Sequence, residues 1–218
     1  MLRHRWDLSP KQAVALQQKL RSRVERRDRF GALQLIAGVD VGFLDNGAIT
    51  RAAIAVLDYA TLTLREHAVA QCPTTFPYVP GLLSFREIPA VLQAYRSLRS
   101  KPDLIICDGQ GYAHPRRFGL ACHLGVFLNV PSIGVAKTLF IGTHKPLARK
   151  RGSRSELRDA DEVIGVALRT RTGVKPVFVS VGHRISLDSA VAIALHCTPK
   201  FRLPETTRCA HHLASQKS

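Results

Sequence analysis

Near the N-terminus, apolar side chains recur at three- or four-residue intervals, at Ala13, Leu16, Leu20 and Val24. The dipeptide Ser9-Pro10 before them is typical of a helix N-cap followed by a first-turn proline. We therefore expect an amphipathic N-terminal helix over about residues 8–30. Its other face is strongly basic, and such a face either lies along a phosphate backbone or is simply solvated.

Three strand-like runs follow, over residues 35–43, 48–58 and 62–71. Short turn signals such as Asp45-Asn46-Gly47 separate these runs. Strands joined by tight turns pair side by side, so the pattern predicts an antiparallel meander. A proline-rich stretch over residues 72–81 then ends the meander.

Helical and strand-like patterns alternate beyond the meander. They predict a helix over 85–98, a strand over 103–108, a helix around 119–129 and a strand over 132–136. Three antiparallel strands followed by helix, strand, helix and strand describe a mixed sheet flanked by helices. The predicted fold class is therefore α/β, with the order of elements of the ribonuclease-H-like architecture.

The C-terminal part of the chain continues this alternation. We expect a mobile basic loop at about 143–158, strands over 162–169 and 176–181, and an apolar helix over about 187–196. The tail after residue 199 is mixed in pattern. Because 218 residues with 45% hydrophobic content can bury a full core, we expect a single domain spanning residues 1–218.

The charge balance points to a polyanionic partner. The chain has 32 Lys and Arg against 16 Asp and Glu, a formal net charge of +16, with a sequence pI near 10.4. Neutralisation of phosphates by Lys and Arg drives association with nucleic acid. Ribosomal and membrane-surface proteins share this feature, so the charge indicates a class of partner but does not identify a reaction.

Cysteine usage and hydropathy indicate a cytoplasmic protein. The five cysteines are odd in number and include no Cys-x-x-Cys pair, which argues against a disulfide framework or a zinc ribbon. The first residues are basic but no apolar stretch follows them, and no run is long enough to span a bilayer. We expect neither secretion nor contact with a membrane.

Three acidic residues lie in settings where a carboxylate is unusual. Asp40 interrupts the first predicted strand, Asp108 ends the fourth, and Glu87 begins the predicted helix at 85–98. In the predicted topology these three positions face one edge of a cleft. A buried carboxylate must be paired or bind metal, so the alternatives are pairing with arginines or a divalent-metal site. We favour a Mg²⁺ site for phosphodiester hydrolysis, with Asp40 and Asp108 as direct ligands and Glu87 holding a metal or its water.

Two further positions suit phosphodiester chemistry. Lys137 follows the last strand of the predicted alternation, where its ammonium either binds the scissile phosphate or is simply exposed to solvent. Tyr78 lies in the loop Phe76-Pro77-Tyr78-Val79-Pro80-Gly81, which its prolines make stiff. A tyrosine held in this way is either a wedge that fills the gap left by a flipped nucleotide or part of a packed surface loop.

The loop over 108–119 supplies small and basic residues next to Asp108. It contains Gly109, Gly111 and Gly119, which allow close approach of a ligand, and Arg116 and Arg117, which suit phosphate. It fits neither the P-loop nor the dinucleotide fingerprint, so the glycines are better interpreted as walls of a pocket.

Five segments together resemble the endonuclease V family, the deoxyinosine 3′ endonucleases of DNA repair. They lie in the order expected for that family, at residues 38–43, 77–87, 108–119, 133–137 and 182–186. Five matches in register are far more specific than any one of them.

The resemblance implies roles for individual residues. Asp40, Glu87 and Asp108 would be the metal-site carboxylates, Lys137 would assist at the phosphate and Tyr78 would be the wedge. Backbone groups near Gly81, Leu83, Gly109 and Gly119 would line a pocket for a flipped hypoxanthine, and His114, Arg116 and Arg117 would contact DNA. Cleavage would fall at the second phosphodiester bond 3′ to the lesion and leave 3′-hydroxyl and 5′-phosphate ends. Hypoxanthine pairs weakly, which lowers the cost of flipping it.

One more metal ligand is expected near the C-terminus, where the family places an acid or a histidine. The step Arg208-Cys209-Ala210 leads into His211 and His212, and the register favours His211. Imidazole is a less usual Mg²⁺ ligand than an oxygen donor, so Asp188 competes for this role. A zinc site built from His196, Cys197, Cys209 and His211 is a further alternative.

These observations predict a monomeric Mg²⁺-dependent endonuclease, in which Mn²⁺ can substitute, acting on DNA that contains deoxyinosine. Two other hypotheses stay open at this point. The substrate could instead be inosine-containing RNA, because discrimination depends on room for a 2′-hydroxyl. Alternatively, the chain could be a basic nucleic-acid-binding protein without catalytic activity, with purely structural acids.

Overall fold

The computed structural model describes residues 4–215. Within them, eight strands form one mixed sheet in the order β3-β2-β1-β4-β5-β8-β7-β6. The strands are β1 Leu35–Leu44, β2 Ile49–Asp58, β3 Leu64–Pro73, β4 Leu104–Cys107, β5 Ser132–Ala136, β6 Arg154–Asp159, β7 Glu162–Leu168 and β8 Val177–His183. The α-helices are α1 Pro10–Leu20, α2 Leu83–Ser97, α3 Leu120–Leu128, α4 Leu187–His196 and α5 Glu205–Ser215.

The pairing confirms the predicted mixed α/β sheet. Strands β1, β2 and β3 form the antiparallel meander, while β4 runs parallel to both β1 and β5. Strand β8 then returns antiparallel to β5. The carboxyl ends of β4 and β5 therefore meet beside the middle of β1, which is where the candidate chemistry lies.

Helices cover both faces of the sheet because side chains alternate along its buried strands. In β1, Ala37 and Val39 pack in the same apolar cluster as residues of α2 and α3. Ile36, from the same strand, packs in a second cluster with residues of α4 and α5. This period-two pattern explains why β1 is apolar almost throughout.

Helix α5 crosses β1 at very short range. A Cβ atom added to Gly38 would lie 2.1 Å from the backbone carbon of Thr206, so only glycine fits there. The buried positions of α5 are small or hydroxyl-bearing residues: Thr206, Thr207, Ala210 and Ala214. This close packing holds the C-terminal helix against the strand that carries Asp40.

Three predicted features differ from the structure. The N-terminal helix, expected over about 8–30, ends at Leu20 and is followed by a 3₁₀ turn, Arg21–Arg23. Val24 is then extended, because the chain leaves the helix to pair its backbone with Arg184, whose N–H donates to the carbonyl of Glu25. The expected basic loop at 143–158 is in part a strand, since β6 pairs antiparallel with β7. The mixed tail contains α5.

In the part of the chain that the structure describes, none of the helices combines the length and the apolar character needed to cross a membrane.

Candidate active site

A pocket of about 380 Å³ opens where β4 and β5 end beside the first turn of α2. Nine of the residues predicted from the sequence line it: Tyr78, Gly81, Leu83, Glu87, Asp108, Gly109, His114, Gly119 and Lys137. Residues far apart in the chain thus share one cavity.

The parallel pairing of β1 with β4 brings two of the acids together. Val39 lies opposite Cys107 in the register, and the N–H of Asp108 donates to the carbonyl of Val39 at 3.3 Å. Asp40 and Asp108 are therefore neighbours across the sheet. Both side chains are largely buried, 12% and 13% exposed.

Glu87 extends from α2 toward the same two acids. Burial raises the pKa of its carboxyl to about 8, and the negative charges of Asp40 and Asp108 contribute to the increase. In the described part of the chain, Glu87 has no hydrogen-bond or ion-pair partner. Three carboxyl groups thus meet at one place, and one of them is poorly suited to carry its charge alone.

Positively charged or imidazole groups meet the other two acids. Lys137 forms an ion pair with Asp108. Burial raises the pKa of the Asp108 carboxyl, and the hydrogen bond from Lys137 opposes that increase. His211 lies with its Nδ1 2.9 Å from Oδ2 of Asp40. The three acids, the lysine and the histidine therefore form one cluster.

The donor set of this cluster fits a hard divalent cation, although the side chains are not arranged as a ready-made cage. Among residues 4–215, no group of three or more His, Cys, Asp or Glu side chains is positioned to hold a metal ion. Carboxylate oxygens are nevertheless the donors that Mg²⁺ prefers, and an unpartnered carboxyl beside two others is relieved by a cation. Asp40, Glu87 and Asp108 are the residues that would hold it.

The alternative ligands suggested by the sequence lie elsewhere. Asp188 is almost fully exposed and faces Arg154 at 3.8 Å. The zinc set is not assembled in the described residues, and Nε2 of His196 instead lies 2.7 Å from the carbonyl oxygen of Tyr59. The contact with Asp40 comes from His211, in agreement with the register of the sequence.

The loop that carries Tyr78 is held at one carbonyl. The oxygen of Gly81 accepts hydrogen bonds from three side chains, Gln17 Nε2 at 3.0 Å, His114 Nε2 at 3.0 Å and Arg116 Nη2 at 2.8 Å. Gly81 has a φ of +79°, a conformation that favours glycine. The loop is therefore rigid at its base, while Tyr78 is 68% exposed at the pocket.

The three basic residues of the loop 108–119 contact protein groups. Arg116 donates from Nε to Oε1 of Gln17 at 2.6 Å, in addition to its bond with Gly81. Arg117 pairs with Asp159 at 2.8 Å and Glu162 at 2.7 Å, and its side chain is 17% exposed. Burial lowers the pKa of His114 to about 4, so its imidazole is neutral near pH 7. These contacts hold His114, Arg116 and Arg117 against the walls of the pocket, and their contact with DNA stays a prediction.

Gln17 and Ser84 are two of the pocket residues that the sequence did not predict. Gln17 is buried in α1 between Ala13 and Leu20, and the signal for it is a polar residue at an apolar position of the helical pattern. Ser84 lines the pocket and contacts His123, which is fully buried in the apolar helix α3. A lone histidine in an apolar run gives no indication from sequence of which partner it meets.

Comparisons with known proteins agree with this geometry. The family model described as Endonuclease V matches residues 18–212. An Endonuclease V from Trichormus variabilis is 55% identical over 98% of this chain and 97% of its own length. The crystal structure of the Endonuclease V from Streptomyces avermitilis has a TM-score of 0.91 and 49% identity, covering 96% of this chain and 92% of that chain. The Endonuclease V of Ciona intestinalis, solved with a 24mer DNA containing an inosine followed by a ribo-adenosine, has a TM-score of 0.82 and 28% identity, covering 94% and 95%.

Proposed function

Because the chain belongs to the endonuclease V family, and is by family a nuclease, we propose that it is a repair endonuclease that recognises deoxyinosine in DNA. It hydrolyses the second phosphodiester bond 3′ to the lesion and leaves 3′-hydroxyl and 5′-phosphate ends. The observation that carries this proposal is the meeting of Asp40, Glu87 and Asp108 beside a pocket that can receive a base.

The carboxylate cluster suits phosphodiester hydrolysis with a divalent cation. When bound, Mg²⁺ supplies neutralisation of charge on the phosphate and activation of the attacking water. Mn²⁺, which accepts the same oxygen donors, is expected to substitute. Lys137, which pairs with Asp108, would contact a phosphate oxygen, and His211 would hold the Asp40 carboxylate in orientation.

The pocket beside the acids suits a base turned out of the duplex. Its walls include Gly81, Leu83, Gly109 and Gly119, where backbone groups and small residues allow a flat ring to approach closely. Tyr78 is held at the mouth with its ring exposed, as a wedge between bases requires. Hypoxanthine is the favoured occupant because its pairing is weak. The Ciona relative, crystallised with inosine-containing DNA, supports this choice.

The proposal predicts a metal-dependent nick beside deoxyinosine. A duplex with one deoxyinosine is incubated with the protein and Mg²⁺, and the product is sized on a sequencing gel. We expect cleavage at the second bond 3′ to the inosine, none with a chelator, and none in the matched duplex with adenosine. Asp108→Asn should abolish cleavage and leave binding of the inosine duplex largely intact.

The controls separate this function from its alternatives. Asp188→Asn, a change at an exposed acid away from the cluster, should leave the rate unchanged. A matched strand with a ribo-inosine site measures how well the pocket accepts a 2′-hydroxyl. Folded wild-type protein that binds both duplexes and cuts neither would contradict the enzymatic function and favour a pure binding protein.

A further inference from the structure

A chain of hydrogen bonds connects the pocket with the N-terminal segment. Ser84, in the first turn of α2, has its Oγ 2.9 Å from Nδ1 of His123. Nε2 of His123 lies 2.9 Å from Nε2 of His4, and Nδ1 of His4 lies 2.8 Å from the carbonyl oxygen of Arg5. Trp6 stacks on the His123 ring at a centroid distance of 5.3 Å, which fixes the ring plane.

The carbonyl at the end of this chain sets the direction of every bond in it. A carbonyl only accepts, so Nδ1 of His4 carries the hydrogen and Nε2 of neutral His4 must accept. Nε2 of His123 therefore donates, and its Nδ1 accepts from the hydroxyl of Ser84. Burial lowers the pKa of both histidines, which keeps them neutral. The Ser84 proton thus points away from the pocket.

As a consequence, Oγ of Ser84 can offer only an acceptor to a ligand in the pocket it lines. Gln110 has the same bias, since its Nε2 donates to the carbonyl of Thr138 and its Oε1 is buried without a hydrogen-bond partner in the described structure. Gln17 and His114 direct their N–H groups to the carbonyl of Gly81, and their acceptor atoms accept from Arg116. A base that presents a ring N–H therefore meets acceptors at Ser84 and Gln110.

We propose that Ser84 is a specificity-determining residue whose Oγ accepts a hydrogen bond from the ring N–H of a flipped 6-oxopurine. This inference rests on the proposed function and identifies one contact within it. Hypoxanthine carries a hydrogen on N1, whereas N1 of adenine has a lone pair that would face the lone pair of Oγ. Such a mismatch leaves buried polar atoms unpaired, which is the strongest source of discrimination between similar ligands.

The test compares two bases that differ at N1 and at C6. Duplexes containing deoxyinosine or deoxynebularine, a purine with a lone pair on N1 and no 6-oxygen, are cut by wild-type protein and by Ser84→Ala under single-turnover conditions. We expect Ser84→Ala to lower kcat/KM on inosine at least about tenfold and on nebularine by less than about threefold. The preference for inosine over nebularine should therefore shrink at least about threefold.

A control and a second variant distinguish this role from a structural one. Ser97→Ala removes a serine of the same helix whose Oγ donates to the carbonyl of Ala94, outside the pocket, and should change neither rate. His4→Ala frees His123 to change tautomer, so the Ser84 hydrogen can turn toward the pocket and the preference should again fall. His4 lies at the outer end of this hydrogen-bond chain, so the substitution leaves the sequence of α2 unchanged.

The outcomes are separable. Equal losses on inosine and nebularine in Ser84→Ala, with folding confirmed by circular dichroism, would overturn the specificity role and leave the proposed function standing. Preference unchanged in both Ser84→Ala and His4→Ala would overturn it as well. Wild-type protein that cuts neither duplex with Mg²⁺ or Mn²⁺ would refute the proposed function itself, and this inference with it.

Discussion

At the scale of single residues, the carboxyl of Glu87 shows that the site holds an acid in surroundings that disfavour its charge. An ionised carboxylate is disfavoured there by burial and by two neighbouring acids, so its pKa rises to about 8. Elsewhere in the chain, Glu66 shows the opposite case. Its carboxylate accepts from the backbone N–H groups of Arg99 and Ser100, and these bonds lower its pKa. The same residue type thus destabilises the fold in one place and stabilises it in the other.

Glu87→Gln should therefore stabilise the metal-free protein in a pH-dependent manner. With a folded pKa above the unfolded value, the folded state holds the proton more tightly, so the stability contributed by this group falls as pH rises from about 4.5 to about 8. Glutamine mimics the protonated acid. We expect the variant to match wild type near pH 5 and to exceed it by on the order of a few kcal/mol near pH 8.

Urea denaturation at both pH values, in the presence of a chelator, measures this difference. Glu66→Gln is the matched control and should lower stability near pH 8, since it removes a carboxylate that the fold favours. The same gain for Glu87→Gln at pH 5 and pH 8 would show that charge is not the cause.

At the scale of elements, the loop with Tyr78, helix α1 and the loop 108–119 are joined at the carbonyl of Gly81. Arg116 takes part in this junction through two hydrogen bonds with protein groups. Its position in a basic segment suggested a phosphate contact, and its geometry indicates that it positions the loop that carries Tyr78. The two roles predict different effects of salt on DNA binding, because only a direct phosphate contact adds to the salt dependence of the binding constant.

Arg116→Leu should weaken binding of an inosine duplex without changing how the binding constant depends on salt concentration. Each phosphate contact contributes roughly −0.9 to the slope of log K against log salt concentration, so loss of a direct contact would change the slope by about one. We expect an affinity loss of about tenfold with the slope retained, measured by fluorescence anisotropy in Ca²⁺ from low to moderate salt. A slope reduced by about one would assign Arg116 to the phosphate backbone instead.

Elements with strong periodicity were predictable from sequence, and elements formed by packing were not. The apolar runs of β1 and β4 have strand character by themselves, and their parallel pairing explains why Asp40 and Asp108 could be expected together. Helix α5 has weak apolar character, since its buried positions include Thr206 and Thr207. It forms against the bare backbone of Gly38, a contact that no local pattern reveals. His211 was expected as a metal ligand from family register alone, and its contact with Asp40 was not predicted.

At the scale of the whole molecule, the net charge of +16 affects association with DNA, whereas the buried histidines affect stability in acid. The charge favours association with DNA and repels the folded chain from itself as more groups become protonated. Burial lowers the pKa values of His114 and His183 to about 4 and that of His123 well below its usual range. All three imidazoles are neutral at pH 7 and would have to be protonated against burial in acid.

The protein should therefore lose stability steeply between about pH 6.5 and pH 4. A group whose folded pKa lies below its unfolded value contributes stability that is present above the unfolded pKa and is lost as pH falls toward the folded one. Three such groups together give a slope of up to roughly 4 kcal/mol per pH unit, because each proton contributes about 1.4. Glu87 changes stability in the opposite direction over this pH range, but it contributes a single proton.

His183→Asn, which keeps an acceptor for the N–H of Glu25, should lower the slope by the share of one proton, about 1.4 kcal/mol per pH unit. His67→Gln, at an exposed position of the edge strand β3, should leave it unchanged. Denaturation curves at half-unit pH intervals measure the slopes, and an equal slope in His183→Asn and wild type would show that acid acts through other groups.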